Sequence, residues 1–443
     1  MRLAWIAAPA VGLVACVGAL AWSSQSSGSQ RSDAYRQLEL FADVLAKVET
    51  DYVTEVDSQE MMEAAINGML ASLDPHSSYM APSELRDMET TMRGEYGGLG
   101  IEVTTEDGVV RVVAPMDETP AARAGIQAGD YLVAIDDESI VGLTLREAVD
   151  RMRGPPGTTI KVSVVREGAD PFDVSLTREV ITVRAVTARM EGDIGVIRVS
   201  QFNQQTSSML LDAIRTVRRA PNLRGVVLDL RNNPGGALDQ AIDVSDAFLD
   251  GGEVVSTRGR RREQVRRYNA RRGDLLEGVP MVVLVNVGSA SASEIVAGAL
   301  QDHNRALVVG MTSFGKGSVQ TIIPLDEGRD GALRLTTARY YTPAGRSIQG
   351  AGIEPDVEVS ARRVEQSRVA RLGITEADLP RALDNENGAR RRGPHVPEDM
   401  PPENWPEDQD YQLSRAMEML RSGMVAERLR NREMASAERA AQR

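Results

Sequence analysis

Apolar positions follow three successive rhythms along this chain. The first is helical: Leu38, Phe41, Leu45, Val48 and Tyr52 recur at spacings of three and four, as do Met62, Ile66, Met69 and Leu73, so each set makes one stripe of an amphipathic helix. Asp74-Pro75 stops the second helix, because the residue before a proline is pushed out of the helical region, and a loop carrying His76 runs on to Pro82. Two such helices cannot bury their stripes alone, which predicts packing on the main body or on a second copy of the chain. From Tyr96 the rhythm shortens to strands and turns, with a helix over Leu145–Arg153 and a strand over Thr159–Arg166. From about residue 193 strand and helix alternate. Strands are expected at Ile194–Val199, Gly225–Leu230, Met281–Val287 and Ala306–Gly310, and helices at Ser207–Arg218, Leu238–Leu249 and Ala292–Gln301. These strands are continuous apolar runs, the pattern of strands covered on both faces. Strands Thr321–Leu325 and Ala332–Tyr341 follow. Residues 384–410, rich in Arg, Pro, Glu and Asp, read as a disordered linker, and Leu413, Met417, Leu420 and Met424 as one last amphipathic helix.

Composition and charge narrow the classes. A chain of 443 residues can hold two or three domains, and a formal charge of −13 argues against a general nucleic-acid binder. The sole cysteine, Cys16, excludes an intrachain disulfide framework and a thiolate-rich metal site. Arg2 precedes twenty mostly apolar residues, Leu3–Trp22, and no acidic residue occurs before Asp33, so the start reads as an export signal or a single membrane anchor. Ala19-Leu20-Ala21 offers a small-x-small cleavage site, and Leu13-Val14-Ala15-Cys16 resembles a lipoprotein box inside an apolar run that continues past it. A soluble periplasmic protein, an uncleaved inner-membrane anchor and a lipoprotein are the readings, in that order. Residues 258–272 carry eight arginines and are expected to form a solvated loop, with a rim for acidic groups as the alternative.

The candidate chemistry lies in residues 281–320. Gly288 ends a buried strand, and Ser289, Ser291 and Ser293 sit where the next helix opens, near its positive end. Only His76, His303 and His395 are present, so a base has to be sought elsewhere. Lys316, in Ser313-Phe314-Gly315-Lys316-Gly317, can serve if burial lowers its pKa from about 10.4, since desolvation disfavours the ammonium form. A Ser–Lys pair is a known variant of nucleophile plus base. No G-x-S-x-G elbow occurs, and Ser313-x-x-Lys316 lacks the helix and partner motifs a β-lactamase needs.

The strings SASASE and GKGSVQ resemble those of the carboxy-terminal processing peptidases, the tail-specific serine proteases. The resemblance covers roughly residues 35–358 and implies Ser291 as nucleophile, Lys316 as general base and Gln320 as the side chain that orients the lysine. Arg231-Asn232-Asn233-Pro234-Gly235-Gly236 resembles that family's oxyanion loop, which implies donors at Gly235 or Gly236 and at Ala292, the choice between the glycines staying open. Tyr96-Gly97-Gly98-Leu99-Gly100-Ile101 resembles the carboxylate-binding loop of PDZ domains, with Leu99, Gly100 and Ile101 as the peptide-binding residues.

The fold so implied is mixed α/β: a crotonase/Clp-protease-like core, an inserted PDZ domain and helical terminal segments. Its divisions are a leader at 1–22, helices at 33–95, the PDZ domain at 96–178, the core at 179–358, and a linker with a C-terminal helix at 359–443. The function implied is a periplasmic serine endopeptidase without cofactor or metal. It would bind exported proteins by their C-terminal tails, with the PDZ domain able to gate the site. Protein substrates, an adaptor and further copies of the chain are the expected partners; an inactive PDZ scaffold is the rival from another class.

Overall fold

The computed structural model describes residues 33, 35–363, 373–393 and 395–441, so the apolar leader with its cleavage and lipoprotein motifs lies outside the described residues. The chain divides at Met69 into two units. In the first, residues 35–51 are helical and a second helix, Ser58–Ala71, begins. The predicted stripe is there but uncovered, with Leu38, Phe41, Tyr52 and Met62 all exposed.

The second unit is built on a six-stranded sheet. Its order is Val186–Glu191, Ile194–Val199, Gly225–Asp229, Met281–Val285, Leu307–Gly310 and Val357–Glu358. The first pair is antiparallel and the rest are parallel. The continuous apolar runs have the cause expected of them, since both faces are covered. Val226, Leu228, Val283 and Val285 face the helices Thr206–Arg218, Leu238–Asp246 and Ala292–Asp302, while Val227, Val282 and Leu284 pack with Leu413, Met419 and Leu420 of helix Tyr411–Arg421. Gly423, with φ 78°, ends that helix and a separate one, Met424–Ala441, follows, where one helix was expected.

Two other expectations are corrected. The arginine-rich stretch is the outer part of a hairpin: Gly252–Gly259 pairs with Val265–Ala270 in a second, five-stranded sheet that also holds Ser78–Met80, Ser318–Pro324 and Ala332–Tyr341. Within the stretch Arg258 stacks on the Tyr341 ring, Arg267 pairs with Glu253 and Arg271 with Asp246. Residues 384–410 are bonded to the core. Asn385 donates to the carbonyls of Ser347 and Gln349, Arg391 to those of Thr312 and Ser313, and Asp410 pairs with Arg231 at 2.6 Å. Polar composition there reflects hydrogen bonding to a surface rather than lack of structure.

Residues 99–177 form a β-rich module with a core of its own, including Leu99, Val112, Leu132, Ile140, Ile160 and Val162. Strands Glu95–Gly98 and Glu179–Thr182, which lead into and out of it, pair with each other as a two-stranded ribbon.

Candidate active site

Strand Met281–Val285 ends in a turn that holds Ser291 at φ 54° and ψ −110°, a conformation costing about 1–3 kcal/mol for a residue with a Cβ. The neighbouring serines hold the turn. Ser289 Oγ donates to the Leu230 carbonyl at 2.8 Å and Ser293 Oγ to the Asn233 carbonyl at 2.9 Å. Ser291 occupies the N-cap of helix Ala292–Asp302, yet its hydroxyl makes no cap bond. The cap is made from the other side: Glu294 accepts the Ser291 N–H at 2.7 Å. Of the three candidate hydroxyls, two hold the turn and the third, that of Ser291, has no partner among the described residues.

Glu294 is the residue that sequence reasoning missed. Its side chain is fully buried and accepts four bonds, from Ser291 N–H, from Lys316 N–H at 2.9 Å, from Gly315 N–H at 2.6 Å and from Ser313 Oγ at 2.6 Å. The same oxygen, Oε2, receives the amides of Ser291 and Lys316, so one carboxylate joins the two loops carrying the candidate nucleophile and base. Burial pushes this carboxyl up to about 7 against the pull of those donors. A signal existed, because Ser291-x-x-Glu294 has capping-box spacing.

Lys316 lies in the glycine-flanked loop before strand Ser318–Pro324. Burial holds its amine below the ordinary lysine value; Arg334 acts the same way, while Glu376, Glu294 and Asp74 oppose. Among the described residues its Nζ has no hydrogen-bond or ion-pair partner, and neither has Ser291 Oγ; the two are not bonded to each other. Gln320 is not bonded to the lysine either. Its amide donates to Ser318 Oγ at 2.9 Å and Thr336 Oγ1 at 3.3 Å. Thr336 in turn donates to Asp74, so Gln320 belongs to a network beneath the loop.

The oxyanion loop is held by Asn233, which is fully buried. Its amide donates to the Val199 carbonyl, its side-chain oxygen accepts the Gly235 N–H at 2.9 Å, and its own carbonyl receives the Ala290 N–H. A Cβ on Gly235 would lie 2.9 Å from the Ser291 Cβ and 3.0 Å from the Ala292 nitrogen, so the loop abuts the nucleophile turn. Gly235's N–H is already committed, whereas those of Gly236 and Ala292 have no acceptor among the described residues. Gly236 has φ 143°, and a Cβ there would fall 2.0 Å from the Phe202 carbonyl oxygen, so no other residue fits.

His303 bonds the Glu253 carbonyl through Nε2 at the far end of the helix, away from Ser291. In the β-rich module Leu99 is buried in the core, and its carbonyl accepts the Ala121 N–H. The Gly100 carbonyl accepts Met116 N–H and Thr119 Oγ, and Ile101 opens strand Ile101–Glu106, which is an edge of its sheet. These three residues therefore sit together at the head of an open edge, in a module separate from Ser291 and Lys316.

Comparison with known proteins agrees with this architecture. Residues 193–359 match peptidase family S41, residues 111–166 the PDZ domain, and residues 18–83 the N-terminal domain described for the activating protease CtpB. A carboxy-terminal-processing protease of Bartonella bacilliformis is 50% identical over 403 residues, covering 89% of this chain and 90% of that one. A probable CtpA-like serine protease of Staphylococcus saprophyticus is 34% identical over 79% of this chain and 70% of its own length. Among solved structures, a photosystem II D1 C-terminal processing protease is 30% identical, with a TM-score of 0.43 over 78% of this chain and 98% of that one.

Proposed function

This chain belongs to peptidase family S41 and is a serine protease of the carboxy-terminal-processing kind, carrying a PDZ domain, and from that premise we propose that it cleaves with a Ser291–Lys316 dyad. One observation carries the proposal. A single buried carboxylate oxygen accepts the main-chain amides of both residues, while the hydroxyl and the amine have no hydrogen-bond partner among the described residues. A structural serine at a helix start would cap the helix; a structural lysine would be paired or solvated.

In the reaction, the uncharged Lys316 amine takes the proton from Ser291 Oγ as the oxygen bonds to the scissile carbonyl carbon. The carbonyl electrons move to oxygen, and the N–H groups of Gly236 and Ala292 are the donors for the resulting oxyanion. Collapse breaks the C–N bond, and the lysine ammonium returns the proton to the departing amine. Water then resolves the ester, with the lysine again accepting a proton. The Ser–Lys hydrogen bond is one that closes once substrate is present, as catalytic bonds often do.

The substrate reading is a protein held by its C-terminal tail. The open edge of Ile101–Glu106 supports strand addition, with Leu99, Gly100 and Ile101 at the carboxylate end. The apolar leader Leu3–Trp22 supports export to the periplasm, where loosely folded exported proteins would be met.

The test uses wild type, Ser291→Ala and Lys316→Ala on an unfolded polypeptide with an apolar C-terminus, alongside labelling by a fluorophosphonate. Both variants should lose at least ~10³-fold in turnover with circular dichroism unchanged. Parental turnover by Lys316→Ala would remove the dyad, and parental turnover by Ser291→Ala the nucleophile.

A further inference from the structure

His76 and Glu376 stand 300 positions apart in sequence, yet His76 Nε2 meets Glu376 Oε2 at 2.7 Å. Glu376 is buried, and His76 keeps only a sixth of its side chain exposed. His76 is presented by a rigid turn. Asp74 accepts the N–H groups of His76 and Ser77, the Ser77 hydroxyl and Thr336 Oγ1, which bring the Asp74 carboxyl below its ordinary value although burial alone would raise it.

Glu376 grips the lysine loop at two points. Its main-chain N–H donates to the Phe314 carbonyl at 3.1 Å. Its other oxygen accepts Gln349 Nε2 at 2.8 Å, and Gln349 Oε1 accepts the N–H of Gly317 at 3.1 Å. The residues on either side of Gly315-Lys316 are thus tied to one carboxylate-bearing segment. The charged groups around the amine come from four elements: Glu376 on this segment, Arg334 on strand Ala332–Tyr341, Glu294 on the nucleophile helix and Asp74 in the His76 turn. Of the anions, Glu376 acts most strongly. Nothing in the hydrolysis described above uses His76 or Glu376.

We propose that the His76–Glu376 pair is a positioning device for Lys316: Glu376 fixes the loop that carries the lysine, and His76 hydrogen-bonds the Glu376 carboxylate, drawing its charge away from the amine. The inference rests on the dyad reading and adds two residues to it. It makes the readiness of the base depend on two chain segments outside the catalytic strings, one before the PDZ domain and one after the core.

The two variants should act in opposite directions. Glu376→Gln keeps the size and the bond to Gln349 but removes the charge, so the acid limb of kcat/KM against pH should move down by about half to one unit. His76→Asn removes the imidazole hydrogen bond to that carboxylate and leaves its charge facing the amine more fully, so the limb should move up by a similar amount. His76 is partly exposed, so that variant tests the idea even if Glu376→Gln fails to fold. Profiles that superimpose on wild type, or shift the same way, would overturn the proposal, because a purely structural role has no sign. Lys316→Ala run in parallel separates the failures. An inactive Lys316→Ala with unshifted His76 and Glu376 profiles removes this inference and leaves the dyad standing; an active one removes both. Loss of fluorophosphonate labelling in His76→Asn while Lys316→Ala labels normally would make His76 the base and would likewise overturn both.

Discussion

Two glycine loops in this protein are proposed to meet negative charge, and they are built differently. The loop ending in Gly235-Gly236 is locked by a fully buried asparagine that bonds a neighbouring strand and the loop's own amide, and whose carbonyl receives Ala290 and Ser293 of the nucleophile turn. The loop at Leu99-Gly100-Ile101 is held by main-chain bonds and one threonine, within a module joined to the core through a two-stranded ribbon. Exposed ion pairs such as Arg146–Asp87 and Arg123–Glu179 add little to that joint. The difference matches the charges they are proposed to meet. A developing oxyanion is stabilised only by donors fixed beforehand to within tenths of an ångström, whereas a terminal carboxylate already carries its charge and need only be captured.

The comparison breaks most sharply at Gly236. Gly236→Ala should cut kcat by ~10²–10³ with KM almost unchanged, because the added carbon collides with the Phe202 carbonyl and displaces one of the two donors proposed for the oxyanion. Steady-state kinetics on a short peptide without a PDZ-binding tail would show it; a variant with kcat near wild type would mean that the loop is not the oxyanion site.

Acidity provides the next largest effect. Lys316 is held low by burial, and as the proposed base it must be neutral to accept a proton, so below its pKa the rate should fall tenfold per pH unit. Glu294 works in the same direction. Its carboxyl is pushed up to about 7, and as pH drops through that value protonation places an O–H where four donors already point, loosening the bond between the two loops. Tail binding by the PDZ domain, measured by fluorescence anisotropy of a labelled peptide, should stay level from pH 8 to 6, since neither group lies in that module. Equal losses in rate and binding would argue that the two regions act as one.

The smallest expected effect is on the tail loop. Gly100 has φ 75°, and a Cβ there would lie 2.3 Å from Thr119. Gly100→Ala should raise KM for tailed substrates about tenfold and leave kcat on an untailed peptide within twofold. A fall in kcat on the untailed peptide would instead show the module controlling the core.

Much of this molecule was legible in its amino-acid order. The doubly covered strands announce themselves as unbroken apolar runs, because every side chain of Met281–Val285 meets a protein layer. The strings around Ser291, Lys316 and Gly235 could be recognised because their chemistry is local: a turn, a helix start and glycines at fixed offsets. Glu294 lay in plain view as a capping residue; what it does was not visible, since three of its four donors come from residues 313–316. Folding alone decided that Gly235's amide is occupied while Gly236's has no acceptor among the described residues, that Gln320 turns toward Thr336, and that polar residues such as Asn385 and Arg391 are bonded to the core. It also brought His76 to Glu376. The reason is physical. Periodicity records which face of an element is dry, but a buried polar atom must find its partner wherever the chain happens to return, and no local pattern encodes that distance.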